Sequence, residues 1–489
     1  MIFNSFDFLI FFPVVVFLYF VIPEKIRPFW LLLASYYFYM SWNPWYGLLI
    51  GLITTVTYIT GRLMEPMEEN KKGKKLWLAV GILCCLALLF FFKYFSFALN
   101  SVCRVLSVAG SDCTLTVPDI ILPVGISFYT FQAISYIVDV YRKNIPVERN
   151  FLQYALFVGF FPQLLSGPIG RAGKLLPQMH AKHEFEYNRV RDGLLLMLFG
   201  FFEKLIIAER AATIVDMVYD NYMGYSGAAI VIATLLFAVQ IYCDFCGYSH
   251  IAVGAARVMG FELTDNFMQP YFAVSVQDFW RRWHISLSTW FRDYVYIPLG
   301  GSRCSKVRRY GNIMVTFLAS GLWHGASWHY VVWGGLNGAF QVLEDLFRPV
   351  EIWLGKHSIF KIPAWIQRLF RGIVTFVLVD FAWIFFRAPG FRDAIKIINR
   401  IRETFLFCNF SEAYLLGLEK WDFWVLMVAI LILFLVDVLR EKKIKILAGI
   451  ARMPVVLRWS FYLTVCLLLI LQVMYDFGAP ASEFIYFQF

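Results

Sequence analysis

The sequence predicts an all-α polytopic membrane protein, and three observations carry that prediction. Hydrophobic residues make up 60% of the 489 positions and charged residues only 16%, where a soluble domain carries roughly 25% charged residues. The mean hydropathy is +0.63. Apolar runs of about the length that crosses a bilayer recur along the whole chain, and the Lys and Arg collect in short segments between them.

Taken in order, the apolar spans fall near residues 7–22, 29–41, 46–62, 77–98, 119–140, 151–165, 193–214, 226–256, 311–323, 329–347, 369–387, 423–439 and 457–474. The first has no basic segment ahead of it and no small-residue cleavage site, so it reads as a membrane segment that stays in place. Several others are too short to cross alone at 1.5 Å per residue. The run 151–165 is expected to dip in and return, because backbone at that depth is tolerated only when buried in protein or lining a wet cavity. "PEKIRP" (23–28), "NKKGKK" (70–75), 141–149, 171–191, "RCSKVRR" (303–309) and "REKKIK" (440–445) are basic, which places them on the cytoplasmic face. The loop 99–118 falls outside, as do both ends of the chain. The mixed-charge stretch 389–422 is expected to hold an interfacial helix. No internal repeat or linker divides the sequence, so one membrane domain is expected over 1–489, with a catalytic core near 119–390.

The formal charge of +10 is accounted for by these loops, and no nucleic-acid partner is expected. Cys243 and Cys246 form a C-x-x-C with no second ligand pair, so no metal site is expected and the thiols read as small apolar filler. Cys103 and Cys113 share the outside loop, where a disulfide is open to them. No nucleotide-binding glycine motif, H-E-x-x-H or G-x-S-x-G occurs.

Ionisable residues at membrane depth mark functional paths. "QDFWRRWHISLSTWFRD" (277–293) holds Asp278, Arg281, Arg282, His284, Arg292 and Asp293. Phe279, Trp283, Leu287 and Trp290 recur at three- and four-residue spacing, which predicts one face of a helix at the cytoplasmic interface. His284 sits on the rim of that face. "FLASGLWHGASWHYVVWGG" (317–335) carries the second cluster. Eleven residues separate the basic loop's end at Asn312 from His324, roughly 16 Å of rise, which sets His324 near mid-bilayer. The small residues Gly325, Ala326 and Ser327 allow close approach of backbone or ligand. A buried neutral imidazole there can take and return a proton. His329 is five residues on, off the same face, and reads as a core histidine. Pro and Gly at 122–125 and 162–171, and Asp244 with His250 in "YCDFCGYSHIA" (242–252), predict bent helices. Lys93 and Lys204 are expected to snorkel.

"LPVGISFYTFQAISYIVDVYR", "SGPIGR", "YCDFCGYSHIAVG", "DFWRRWHISLSTWFRDYVYIPLGGSR" and "SGLWHGASWHYVVWGGLNG", in that order, resemble the membrane-bound O-acyltransferase superfamily, in its bacterial alginate O-acetyltransferase branch. The resemblance runs from near residue 3 to about 400. It implies a bowl of roughly 11–13 transmembrane or re-entrant helices around a central tunnel. It implies that His324 is the catalytic histidine and His284 the second active-site polar residue; His324 is expected to act as general base on the acceptor hydroxyl or to carry the acyl group transiently, and His284 to orient or polarise the donor carbonyl. Asp278, Trp280, Arg281, Trp283, Trp323 and Asp244 are the candidate tunnel lining, and Arg281, Arg282 and Arg303 could steer an anionic donor. Two departures stand out: Cys246 where serine is more usual, and Glu203 in a more basic setting.

The expected function is transfer of an acyl group, acetyl by preference, from a cytoplasmic donor to hydroxyls of an exported polysaccharide or cell-wall polymer. The co-substrate would be acetyl-CoA or an acyl carrier, with no bound cofactor. The partners would be the lipid bilayer and an extracytoplasmic transferase, in a bacterial cytoplasmic membrane. D-alanyl transfer to teichoic acid is the alternative within the class. A transporter or flippase of lipid-linked glycans is the alternative outside it.

Overall fold

The computed structural model describes residues 1–67, 70–110, 118, 120–357, 363–405, 416–475 and 484. Among these, every regular element is a helix. The chain divides into two compact units, Met1–Met197 with Ile251–Thr264, and Leu198–His250 with Asp265–Phe489.

The first unit holds α1 (Phe6–Val21), α2 (Arg27–Met40), α3 (Trp45–Met64) and α4 (Lys71–Leu89). A π-helical turn at Phe90–Tyr94 carries α4 on into α5 (Phe95–Val108). Then come α6 (Ile126–Tyr141), α7 (Phe151–Gly159), α8 (Phe161–Leu164), α9 (Ala172–His180) and the start of α10 (Tyr187–Phe201). Some of these helices begin where a side chain satisfies their first N–H groups: Ser5 accepts from Phe8 N at α1, and Asn150 from Leu152 N and Gln153 N at α7. The Pro and Gly breaks expected near 122–125 and 162–171 are present. α6 starts after Gly125, whose φ is +79°. A Cβ there would lie 2.6 Å from the Leu164 carbonyl oxygen, so both the conformation and the close approach require glycine. The chain bends at Phe160, between α7 and α8. Their nine and four residues rise only about 14 and 6 Å, too little to cross, and the run 153–170 is buried. Gln132 and Gln163 both donate Nε2–H to the Phe157 carbonyl, which satisfies the backbone at the bend.

The second unit continues α10 through a π-helical segment, Phe202–Ala208, into α11 (Glu209–Asp220). It contains most of α12 (Gly227–Met259), then α13 (Val276–Arg282), α14 (Ile285–Phe291), α15 (Lys306–His324), α16 (Trp328–His357) and α17 (Ala364–Arg387). α18 (Phe391–Thr404), α19 (Lys420–Glu441), α20 (Ile446–Ala451) and α21 (Val455–Tyr475) follow. Six stretches among the described residues are long and apolar enough to cross a bilayer. The most apolar stretch of Gly227–Met259 is 72% buried and that of Val455–Gln472 only 6%, so the first is walled by protein and the second leaves its leucines exposed. The molecule is a multi-pass membrane protein. α18 occupies the start of the mixed-charge stretch, with Ala394 and Ile397 turned inward; residues 406–415 lie outside the described residues. Cys103 is disulfide-bonded, and Cys113 lies outside them.

Two expectations are corrected. The cluster 277–293 is not one helix face: α13 ends at Arg282, and His284 has left-handed backbone (φ 44°, ψ 53°) before α14 begins. α12 runs through the 242–252 stretch without interruption. Lys204 does not snorkel. It is buried and ion-paired with buried Asp244 at 2.6 Å. α10 and α12 meet closely here, since a Cβ on Gly247 would stand 2.7 Å from the Gly200 carbonyl oxygen. An ammonium this deep finds a carboxylate sooner than it finds water.

Candidate active site

α15 and α16 form a helical hairpin with backbones in contact. A Cβ on Gly321 would lie 2.3 Å from the Tyr330 carbonyl oxygen, and one on Gly334 would lie 2.2 Å from that of Phe317. Only glycine permits this crossing. α15 stops at His324 and α16 starts at Trp328, so the small residues foreseen after His324 are the turn itself. The hairpin presses the imidazole of His324 against Trp333, Trp323 and Phe386, with ring centroids 4.7, 5.0 and 5.8 Å away. His324 is 2% exposed. Its Nδ1 lies 2.7 Å from the carbonyl oxygen of Ser320, one turn back. A carbonyl can only accept, so Nδ1 carries the proton and Nε2 keeps the lone pair of the neutral ring.

His284 is fully buried between α13 and α14. A left-handed non-glycine residue costs of order 1–3 kcal/mol and persists only where its surroundings hold it. Two backbone bonds do so: Met268 N to Arg282 O at 2.9 Å, and Ile285 N to Asn266 O at 3.0 Å. The ring meets Phe245 edge-on at 4.6 Å and Trp323 at 6.0 Å. Trp323 therefore touches both imidazoles. A second aromatic path joins them through neighbouring indoles: Trp283, adjacent to His284 in the chain, packs on Trp383 at 5.3 Å, which stacks on Trp333 at 5.7 Å. The fold thus gathers His284, Trp323, His324 and Trp283, all named from the sequence. Sequence reasoning missed Phe245, Asn266, Ser320, Trp333, Trp383 and Phe386. None of them carries a signal in the sequence, because each acts through contacts made only in the folded chain.

The other candidates lie apart from the rings or serve the frame. Trp280 donates Nε1–H to Asn337 Oδ1 and meets Trp333 at 5.7 Å. Asp278 accepts from Arg282 at 3.1 Å, and Arg282 reaches Glu441 at 2.8 Å, so these charges form a local ion-pair chain. Arg281 is exposed. Asp244 is engaged with Lys204. His329 lies 2.9 Å through Nδ1 from the Phe385 carbonyl, the core role expected of it.

Among the described residues, one group offers metal-type donors: Glu203, Cys246 and His250, with ligand atoms within 4.8 Å of one another. Glu203 Oε2 lies 2.6 Å from His250 Nδ1, and Arg440 Nη1 lies 3.4 Å from His250 Nε2. A guanidinium only donates, so Nε2 accepts and Nδ1–H is given to Glu203. The ring links a cation to a carboxylate.

Two buried imidazoles thus lie among indoles on a helical scaffold long and apolar enough to cross a membrane. Comparison with known proteins makes this specific. The profile of the membrane-bound O-acyltransferase family matches residues 145–362. The chain is 36% identical over 423 residues to a probable alginate O-acetylase of Pseudomonas aeruginosa, covering 86% of this chain and 78% of that one. It is 34% identical to a peptidoglycan O-acetyltransferase of Helicobacter pylori, over 76% and 72% of the two chains. A teichoic acid D-alanyltransferase of Bacillus subtilis is 28% identical over 55% and 69%. The chain belongs to the membrane-bound O-acyltransferase family and is an O-acyltransferase.

Proposed function

We propose that this enzyme moves an acetyl group from a cytoplasmic thioester donor, acetyl-CoA or an acyl carrier, towards hydroxyls of an exported polysaccharide or cell-wall polymer, with His324 as the general base. The observation that carries the reading is the bond from His324 Nδ1 to Ser320 O, which leaves Nε2 basic in a buried site. Nε2 takes the proton of the attacking hydroxyl as its oxygen bonds to the acyl carbon. The carbon–sulfur bond of the tetrahedral intermediate then breaks, and the departing thiolate takes that proton from the imidazolium. The imidazolium forms at the C-terminus of α15, where the helix carries partial negative charge that favours a cation. General-base catalysis of this kind contributes about 10²–10⁴-fold.

Acetyl is favoured over D-alanyl because the acetyl-transferring relatives align over more of the chain at higher identity. The route requires access from both leaflets and a bacterial cytoplasmic membrane. It leaves room for an extracytoplasmic transferase that receives the acyl group. The test is mass spectrometry of surface glycans from a deletion strain complemented with the wild type or with His324→Ala at equal membrane abundance. The reading expects acetylation restored by the first alone. Acetylation restored by both removes the role of His324. Loss of the polymer itself from the surface would point to transport.

A further inference from the structure

Asn266 lies 18 residues before His284, in the segment between α12 and α13, and is 2% exposed. Its backbone carbonyl accepts from Ile285 N at 3.0 Å. Its side-chain oxygen accepts from Ser286 N at 3.1 Å and from Ser286 Oγ at 2.9 Å. Ile285 N and Ser286 N are the first two N–H groups of α14, which a helix cannot pair within itself, and His284 at the N-cap makes no side-chain bond to them. Asn266 caps α14 from outside the helix.

The same bonds fix the amide. A backbone N–H only donates, so the atom facing Ser286 N is the oxygen, and the amide nitrogen turns to Ser249 Oγ at 3.4 Å. His284 Nδ1 lies 3.3 Å from that oxygen. An amide oxygen only accepts, so the proton of the neutral ring sits on Nδ1 and the lone pair on Nε2. A neutral ring in this tautomer has no proton on Nε2 to give to an acyl carbonyl.

We propose that Asn266 is a positioning residue that locks His284 as the Nδ1–H tautomer, so that Nε2 accepts a hydrogen bond from a hydroxyl of the acceptor. His284 then serves the acceptor rather than polarising the donor carbonyl. This assigns to the substrate hydroxyl-rich chemistry on the His284 side, and it rests on the acyl-transfer reading above for its kinetic part alone. The backbone supports the assignment: the left-handed turn at His284 is held by the same residue that orders its ring.

The test uses full-length protein in nanodiscs with ¹⁵N-labelled histidine, the His284 signals being identified by their absence in His284→Gln. The wild type is expected to show a protonated Nδ1 and a bare Nε2 at neutral pH. Asn266→Asp keeps an accepting oxygen and should keep that tautomer. Asn266→Leu removes it and should let protonated Nε2 appear. In membrane vesicles given labelled acetyl-CoA and cell-envelope glycan from the deletion strain, Asn266→Leu should slow transfer ~10-fold or more, with the donor KM within ~2-fold, and Asn266→Asp should recover most of the rate. A wild-type ring protonated on Nε2 overturns the proposal whatever the variants do. So does a folded Asn266→Leu protein with an unchanged tautomer. An absence of acetyl transfer with the expected spectra would instead count against the acyl-transfer reading and leave the tautomer lock standing.

Discussion

His324 and Ser320 are joined by a 2.7 Å contact from imidazole Nδ1 to backbone carbonyl, one helical turn apart at the end of α15. The partner is main chain, so no side-chain substitution at position 320 removes it. The orientation of the ring is therefore a property of the helix end, and the helix end is set by the glycine crossing with α16. Disturbing that crossing should disturb both stability and the ring.

Gly334→Ala places a methyl 2.2 Å from the Phe317 carbonyl oxygen. α15 and α16 must separate, a cost of about 1–3 kcal/mol for overpacking. Gly335→Ala, one residue on, meets only Leu318 Cδ2 at 3.4 Å and should change little. Thermal unfolding in detergent should show a lower Tm for the first and a near-native value for the second; equal values would count against a tight crossing.

The Lys204–Asp244 pair predicts strong coupling. Lys204→Met leaves the Asp244 carboxylate buried beside a lost cation, at a cost of about 3–5 kcal/mol. The double variant Lys204→Met with Asp244→Leu should recover most of that loss, since it removes both charges. A double-mutant cycle by chemical denaturation measures the coupling, and simple additivity of the two single losses would contradict the pairing.

His329 separates structure from chemistry. His329→Ala leaves the buried Phe385 carbonyl without its Nδ1 contact, worth about 1–3 kcal/mol of stability. Acyl transfer per folded molecule should stay within ~2-fold of wild type. A loss as large as that of a His324 variant would move His329 into the reaction.

Much of this arrangement was legible in the sequence. Apolar runs located the long helices, and the Trp323–His324–Gly325 boundary marked where α15 would end. The periodicity through Phe279, Trp283 and Leu287 misled, because aromatic residues packed on several sides of a break repeat at helical spacing by coincidence. The sequence reads Lys204 as snorkelling, because a lysine in an apolar run gives no hint of its partner carboxylate forty residues on. Asn266 was invisible for the same reason: its meaning lies in contacts with α14, which only the folded chain supplies. Sequence patterns report local period and burial well, and report tertiary pairing of polar groups poorly.

The claim that His324 Nε2 is the base is tested most directly by single-turnover transfer of labelled acetyl in proteoliposomes, comparing wild type with His324→Gln at matched folding and matched donor binding. Glutamine keeps polarity and approximate size but cannot take a proton. The account predicts that transfer falls by about 10²-fold or more while donor binding stays unchanged. Transfer by His324→Gln within a few-fold of wild type would contradict it.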